Sequence, residues 1–179
     1  MIKRILASLG VSAVAVATLG TVAGATTATQ AAAPTQSIVQ IAQSNGHFST
    51  LLAAVSCAAP AIGQTLTSGK QVTVFAPTDA AFAKLNLNAG NVCGAFSQAQ
   101  LTNILLYHVV NGHRDASSIV PRRWFGIRPV WTLLHQPFFV NHKAQIWTTS
   151  GSTANIVIPN IEATNGVVHV IDSVLVPAS

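Results

Sequence analysis

Carboxylates are almost missing from this sequence. Its 179 residues include 4 Asp+Glu against 9 Lys+Arg, and only 7% of the chain is charged. Carboxylate partners for a metal are therefore scarce, and neither His108/His113 nor His135/His142 has the i, i+4 spacing of a zinc helix. The 2 cysteines form no CxxC or Cys/His pattern, so zinc has no signature and no metal or cofactor is expected. A G-x-S-x-G elbow is lacking, and no acid–histidine spacing singles out one of the 6 histidines, which leaves a serine hydrolase without a foothold. A large basic excess is lacking too. The formal charge is +5. Assigning Lys3 and Arg4 to an N-terminal leader lowers it to about +3, less than an extended phosphate-binding face uses, so nucleic acid is not an expected partner. What the chain has in quantity is apolar residues, 50% of it, which excludes intrinsic disorder.

The N-terminus reads as a secretory signal over residues 1–25. "MIKR" is the positive n-region, "ILASLGVSAVAVATLGTVAG" an uncharged h-region, and "AGA" at Ala23 to Ala25 offers small residues for cleavage. A transmembrane anchor is the competing reading. The Gly, Ser and Thr content, and the polar "TTATQAAAPTQ" that follows, favour cleavage. Lack of a lipobox cysteine argues against a lipoprotein. Residues 26–34 read as a flexible lead-in and 35–179 as one domain. In an exported chain, an even cysteine count predicts a disulfide between Cys57 and Cys93; two buried free thiols are the alternative.

Along the chain, "SIVQIAQSNGHFSTLLAAVSCA" carries helical spacing broken at Asn45-Gly46, which predicts two short helices. "QVTVFAP" predicts a strand ended by Pro77, and "TDAAFAKLN" a helix capped by Thr78 or Asp79. "SQAQLTNILLYHVV" predicts a helix that starts on a Ser97/Gln100 capping box and places Leu101, Ile104, Leu105 and His108 on one face. Near the C-terminus two apolar runs flank Asn165-Gly166, a pair that favours positive φ at both centres of a hairpin turn. "VVHVIDSVLV" is apolar on both faces and predicts an interior strand, whereas Pro159 in the preceding run predicts a bulge or an edge.

Three of these stretches resemble a known family. "TVFAPTDAAFAKL" is similar to the first signature block of the fasciclin domain, "LTNILLYHVVNG" to its central helix with the pair Tyr107-His108, and "IEATNGVVHVIDSVLVP" to its second block. They occur in family order over roughly Thr35 to Pro177. The resemblance implies an α+β fold, a β-wedge of about seven strands with several flanking α-helices. It implies a non-catalytic role in extracellular adhesion, with a protein, matrix or glycan partner. Thr78, Asp79, Tyr107, His108, Asn165, Gly166, His169 and Asp172 become motif positions with structural roles.

One segment departs from the family. "PRRWFGIRPVWTLLHQPFFVNHKAQIWTTS", within residues 120–150, contains all 3 tryptophans, and no acid lies between Asp115 and Glu162. Two explanations compete. A pair of compensating frameshifts predicts a strained or mobile stretch. A genuine binding surface, built from Arg122, Arg123, Trp124, Arg128, Trp131, Lys143 and Trp147, predicts an ordered patch that takes an anionic glycan or makes peripheral contact with a membrane. A carrier of a small apolar ligand, with its pocket near this segment, is the other alternative.

Tyr107 and His108 are expected to face inward, with His108 neutral and bonded to a backbone carbonyl. Asp79 is expected at the positive end of a helix, and Asp172, in an apolar run, to be paired if buried. An acid–base dyad of Asp172 with Asp79 or Glu162 has no support from spacing. The expected core is Val74, Phe75, Phe82, Leu101, Ile104, Leu105, His108, Val168, Val170 and Ile171.

Overall fold

A computed structural model describes residues 33–122 and 126–178. The expected signal peptide, most of the lead-in, and Arg123 and Trp124 of the basic-aromatic run lie outside the described residues. Three helices come first: α1 (Ile38–Asn45), α2 (Ser49–Cys57) and α3 (Pro60–Thr67). Gly46 ends α1 in the left-handed conformation, φ 67°, so Asn45-Gly46 does separate two helices. Strand β1 (Val72–Pro77) stops at its proline and runs straight into α4 (Asp79–Ala83). Next come α5 (Val92–Ala95) and α6 (Gln98–Tyr107), the latter opened by the Ser97/Gln100 capping box. Strand β2 (Val109–Asn111) and α7 (Ala116–Ile119) lead to β3 (Ile127–Trp131), β4 (Pro137–Asn141), β5 (Gln145–Thr148), β6 (Thr153–Ala163) and β7 (Gly166–Ile171).

The seven strands form one mixed sheet in the order β2-β1-β7-β6-β5-β4-β3. Only the β1–β7 pair is parallel. The end strands meet through a bridge between Val110 and Thr132 and a 2.8 Å bond from Leu133 N to Val109 O, which curls the sheet over itself as a wedge. Strands β1 and β7 are buried along their whole length because both faces are covered. On one face Val72, Val74, Ala76, Val168 and Val170 pack on the helices. On the other, Phe75 and Ile171 join Tyr107, Val110, Phe138, Val140 and Ile146 inside the wedge. Every residue of the expected core is buried.

The atypical segment supplies four of the eleven buried residues of this second core. Val130, Phe138, Val140, Ile146 and Thr148 point inward from β3, β4 and β5, and the Phe138 ring meets Phe75 edge-on at 4.9 Å between centroids. Residues 127–148 of the segment thus supply three strands of the sheet. Among the described residues of the segment, two non-glycine turn residues are left-handed, His135 (φ 61°) and Ala144 (φ 58°), where glycine or asparagine would be usual.

The hairpin before β7 differs from the sequence-based expectation. Ala163 pairs with Gly166, so the two loop residues are Thr164-Asn165 and Gly166 is the first residue of β7. The glycine is needed for packing rather than for the turn. At φ 147° a Cβ on Gly166 would lie 1.7 Å from the Val72 carbonyl oxygen of β1. Pro159 sits where the β6–β7 register shifts, between Ile158 and Ile161, which is the expected bulge.

Candidate functional site

The motif residues divide into ties that hold the fold and a surface that those ties present. Thr78 caps α4 through Ala81 N. Asp79 caps a different helix from the one expected. The N-cap of α2, Phe48, offers no side-chain acceptor, and the Asp79 carboxylate fills that role from 29 residues away. Oδ1 accepts from Thr50 N at 2.7 Å and Oδ2 from Ser49 Oγ at 2.8 Å. Desolvation raises the Asp79 pKa, but the bonds from Thr50 and Ser49 outweigh it and hold the carboxyl below its ordinary value.

His108 ends α6 and is buried, 2% exposed. Nδ1 donates to Ile104 O at 2.7 Å while Nε2 accepts from Leu175 N at 3.0 Å, which defines the neutral tautomer. Burial pushes its pKa down to about 4, against a smaller upward pull from the Ile104 carbonyl. Tyr107 turns into the wedge, packs edge-on to Phe138 and donates its hydroxyl to Pro137 O at 3.0 Å. Burial raises its pKa, partly offset by hydrogen bonding with Thr149. The Tyr-His pair therefore pins α6 to β4 on one side and to the chain after β7 on the other.

Asn165 is a buried three-way tie. Its Oδ1 accepts from Ile38 N at 3.0 Å, its Nδ2 donates to Leu66 O at 2.6 Å, and its carbonyl accepts from Val72 N at 3.1 Å. His169, fully buried on β7, accepts from Asn160 N at the bulge and donates to Arg114 O at 2.8 Å. Burial lowers its pKa, opposed mainly by the Arg114 carbonyl. Asp172 lies just beyond β7 and is half-buried. It accepts from the backbone and side chain of Asn155 at 2.8 and 2.9 Å, with Lys84 Nζ 3.8 Å away. Desolvation raises its pKa, but the Asn155 bonds and the Lys84 charge lower it further. Cys57 and Cys93 form a disulfide that joins the end of α2 to α5.

Asp79 and Glu162 have separate partners. Glu162 accepts from His113 Nε2 at 2.9 Å, and His113 Nδ1 lies 3.6 Å from Asp115. The sequence offers no cue to this exposed trio, since Glu162 arrives from β6 and the other two from the loop after β2.

The surface presented is the outer face of β3, β4 and β5. Registers Ile127↔Asn141, Pro129↔Phe139, Trp131↔Pro137 and Phe139↔Trp147 place Pro129, Phe139 and Trp147 in one cross-strand row, flanked by Trp131. Trp131 is 63% exposed and Ile127 65%, while Phe139 and Trp147 are half-buried. Lys143 sits at the tip of the β4–β5 turn, which the Asn141 carboxamide shapes by accepting from Lys143 N and Gln145 N. Arg122 is exposed ahead of β3, and Arg128 donates to Ser118 O. Of the expected basic-aromatic residues, Trp131 and Trp147 share this outer face, Arg128 alternates onto the other face of β3 in register with the inward Val140, Lys143 lies at the β4–β5 turn, and Arg123 and Trp124 lie outside the described residues.

An apolar cavity of about 60 Å³ lies among α1, α2, α3, β1 and α6, lined by residues such as Ile41, Leu51, Leu66 and Val74. It is remote from the aromatic segment, where the sequence led a ligand pocket to be expected. It is also below the roughly 300 Å³ at which small-molecule pockets begin. The concavities beside the aromatic segment, of about 500 and 410 Å³, are lined in part by Arg122, Arg128 and Arg114.

The sequence profile of the fasciclin domain matches residues 46–177. The Synechocystis sp. protein sll1735 is 37% identical over 142 residues, 77% of this chain and 96% of that protein. Immunogenic protein MPB70 of Mycobacterium bovis is 37% identical over 139 residues, 76% of this chain and 66% of that protein. A solved FAS1 domain pair from the insect cell adhesion molecule Fasciclin I superposes with a TM-score of 0.55 at 20% identity, covering 74% of this chain and 46% of that one. The chain therefore spans about half of that pair.

Proposed function

The chain belongs to the fasciclin domain family, whose members are generally non-catalytic, and from that premise we propose that it is an exported adhesion or surface-interaction module. The observation that carries the reading is the outer face of β3–β5. Five apolar side chains, Ile127, Pro129, Trp131, Phe139 and Trp147, stand in register on three adjacent strands, and the two largest exposures among them are 65% and 63%. A side chain as large as Trp131 is costly to leave in water unless a partner covers it. The wedge interior behind the face is filled by Phe138, Val140 and Ile146, so the strands present it as a rigid plane. The disulfide and the leader-like N-terminus support export to an oxidising compartment. The insect protein whose domain pair shares this fold is a cell adhesion molecule, which supports the same use of the fold here.

The test is solid-phase binding of the purified full chain to cell-wall and matrix preparations. Trp131→Ala is expected to reduce binding by about tenfold, on the order of 1.4 kcal/mol, while the melting temperature stays unchanged. Wild-type binding by a Trp131→Ala chain contradicts the reading.

A further inference from the structure

The wedge is left open beside the face just described. Strands β2 and β3 touch at Val110 and Thr132, and among the described residues no other bridge joins them. A notch of about 410 Å³ opens there between β2, α7 and β3. Its floor includes the buried Ile119 and Val130, and its rim carries Asn111, Arg114, Arg128 and the exposed Trp131.

Two features make the notch a receptor for an anion. The first is charge. Each of the four acids is already engaged: Asp79 serves α2, Asp172 faces Asn155 and Lys84, and Asp115 and Glu162 share His113. Among the described residues no ion pair includes Arg114 or Arg128. Arg114 and Arg128 therefore line one concavity whose lining includes no acid. The second is support. The Arg114 N–H donates to Thr73 Oγ1 at 2.9 Å and its carbonyl accepts from His169 at 2.8 Å, and Thr73 and His169 are both fully buried. Arg128 is fixed on β3 opposite Val140, with its guanidinium bonded to Ser118 O.

We infer that this notch binds an acidic sugar of a glycan chain, its carboxylate or sulfate held by Arg114 and Arg128 and its ring against Trp131. The inference rests on the interaction-module reading and names the partner class. A guanidinium fork matches a carboxylate or sulfate with two parallel bonds. The flat row Pro129, Phe139 and Trp147 continues from Trp131 and suits the apolar faces of further sugar rings. A peptide strand fits less well, because Pro129 has no N–H to offer along the β3 edge.

The experiment is titration calorimetry of the full chain with oligogalacturonate, a heparin oligosaccharide, neutral dextran and poly-glutamate, each at low and moderate salt. One or both acidic glycans bind and dextran does not, and affinity falls with salt. Arg114→Gln, Arg128→Gln and Trp131→Ala each weaken binding by about tenfold. Lys84→Gln, which removes a cation bonded at Asp172 and Ser173 beyond the end of β7 and away from the notch, stays within about twofold. Thermal melts select the variants that keep the fold, and Arg114→Gln, exposed at its side chain, serves if Arg128→Gln does not. Failure of both acidic glycans, equal binding of dextran, tighter binding of poly-glutamate, or an equal loss in Lys84→Gln each overturns the inference. If glycans fail while Trp131-dependent binding to matrix preparations persists, the interaction module stands and only the partner class falls; if neither is seen, both fall.

Discussion

Gly166 carries a constraint that no turn propensity reveals. A methyl group there would meet the β1 backbone at 1.7 Å, and the φ of 147° is itself unsuited to an L side chain. Gly166→Ala is expected to cost about 3 kcal/mol or more, read as a fall in the denaturant midpoint, because the β1–β7 pairing must part. Unchanged stability would mean the two strands are not held this closely. His108 and His169 make a second residue-scale prediction. Burial lowers both imidazole pKa values, His108 to about 4, whereas in the unfolded chain they titrate near 6.5. The unfolded state thus binds more protons, and stability is whole above about pH 6.5 and is lost as pH falls toward 4, on the order of 3 kcal/mol from His108. Asp79 and Asp172, whose pKa values are lowered, add a further loss below their ordinary value of 3.8. Melting temperature against pH measures this, and His108→Leu is expected to flatten the slope between pH 6.5 and 4. A wild-type chain equally stable at pH 7 and pH 4.5 contradicts the buried neutral assignment.

At the scale of elements, strain and rescue are both visible. His135 and Ala144 occupy left-handed turn positions without the glycine or asparagine that would fit. Ala144→Gly is expected to stabilise the chain by about 1 kcal/mol, seen as a rise of about 3 °C in melting temperature. The Asp79 cap on α2 predicts the opposite sign: Asp79→Ala loses about 1–2 kcal/mol. Element boundaries are legible in the sequence wherever local chemistry decides them. Gly46, Pro77, Thr78 and the Ser97/Gln100 box mark real ends. The cap from Asp79 to α2 is not legible, because its two partners are distant in sequence. The Asn165-Gly166 turn reads one residue late for the same reason. Contacts to α1, α3 and β1 decide what Asn165 and Gly166 do. Strands β3 to β5 are obscured by their outer residues. Val130 and Thr132, Phe138 and Val140, and Ile146 and Thr148 alternate inward as strands should. Pro129, Trp131, Phe139 and Trp147 on the other face remove the polar half of the pattern.

Across the whole molecule, the sheet, the helices and the wedge follow from three motif blocks because those blocks contain the two fully buried strands and the helix that pins them. The outer row of β3–β5 depends on register, which sequence does not supply, and Arg114 stays inconspicuous because the notch proposed for it arises only where β2 meets β3. The Cys57–Cys93 disulfide spans 36 residues, so its reduction is expected to lower stability by about 4 kcal/mol, measured by denaturation with and without reductant. The central claim is that the outer aromatic face, and not a catalytic pocket, is what this molecule uses. Binding of the full chain to matrix and cell-wall preparations, compared with a Trp131→Ala, Trp147→Ser double variant matched for melting temperature, tests it most directly. Loss of binding by at least about tenfold is the predicted result, and undiminished binding by a correctly folded double variant would contradict the account.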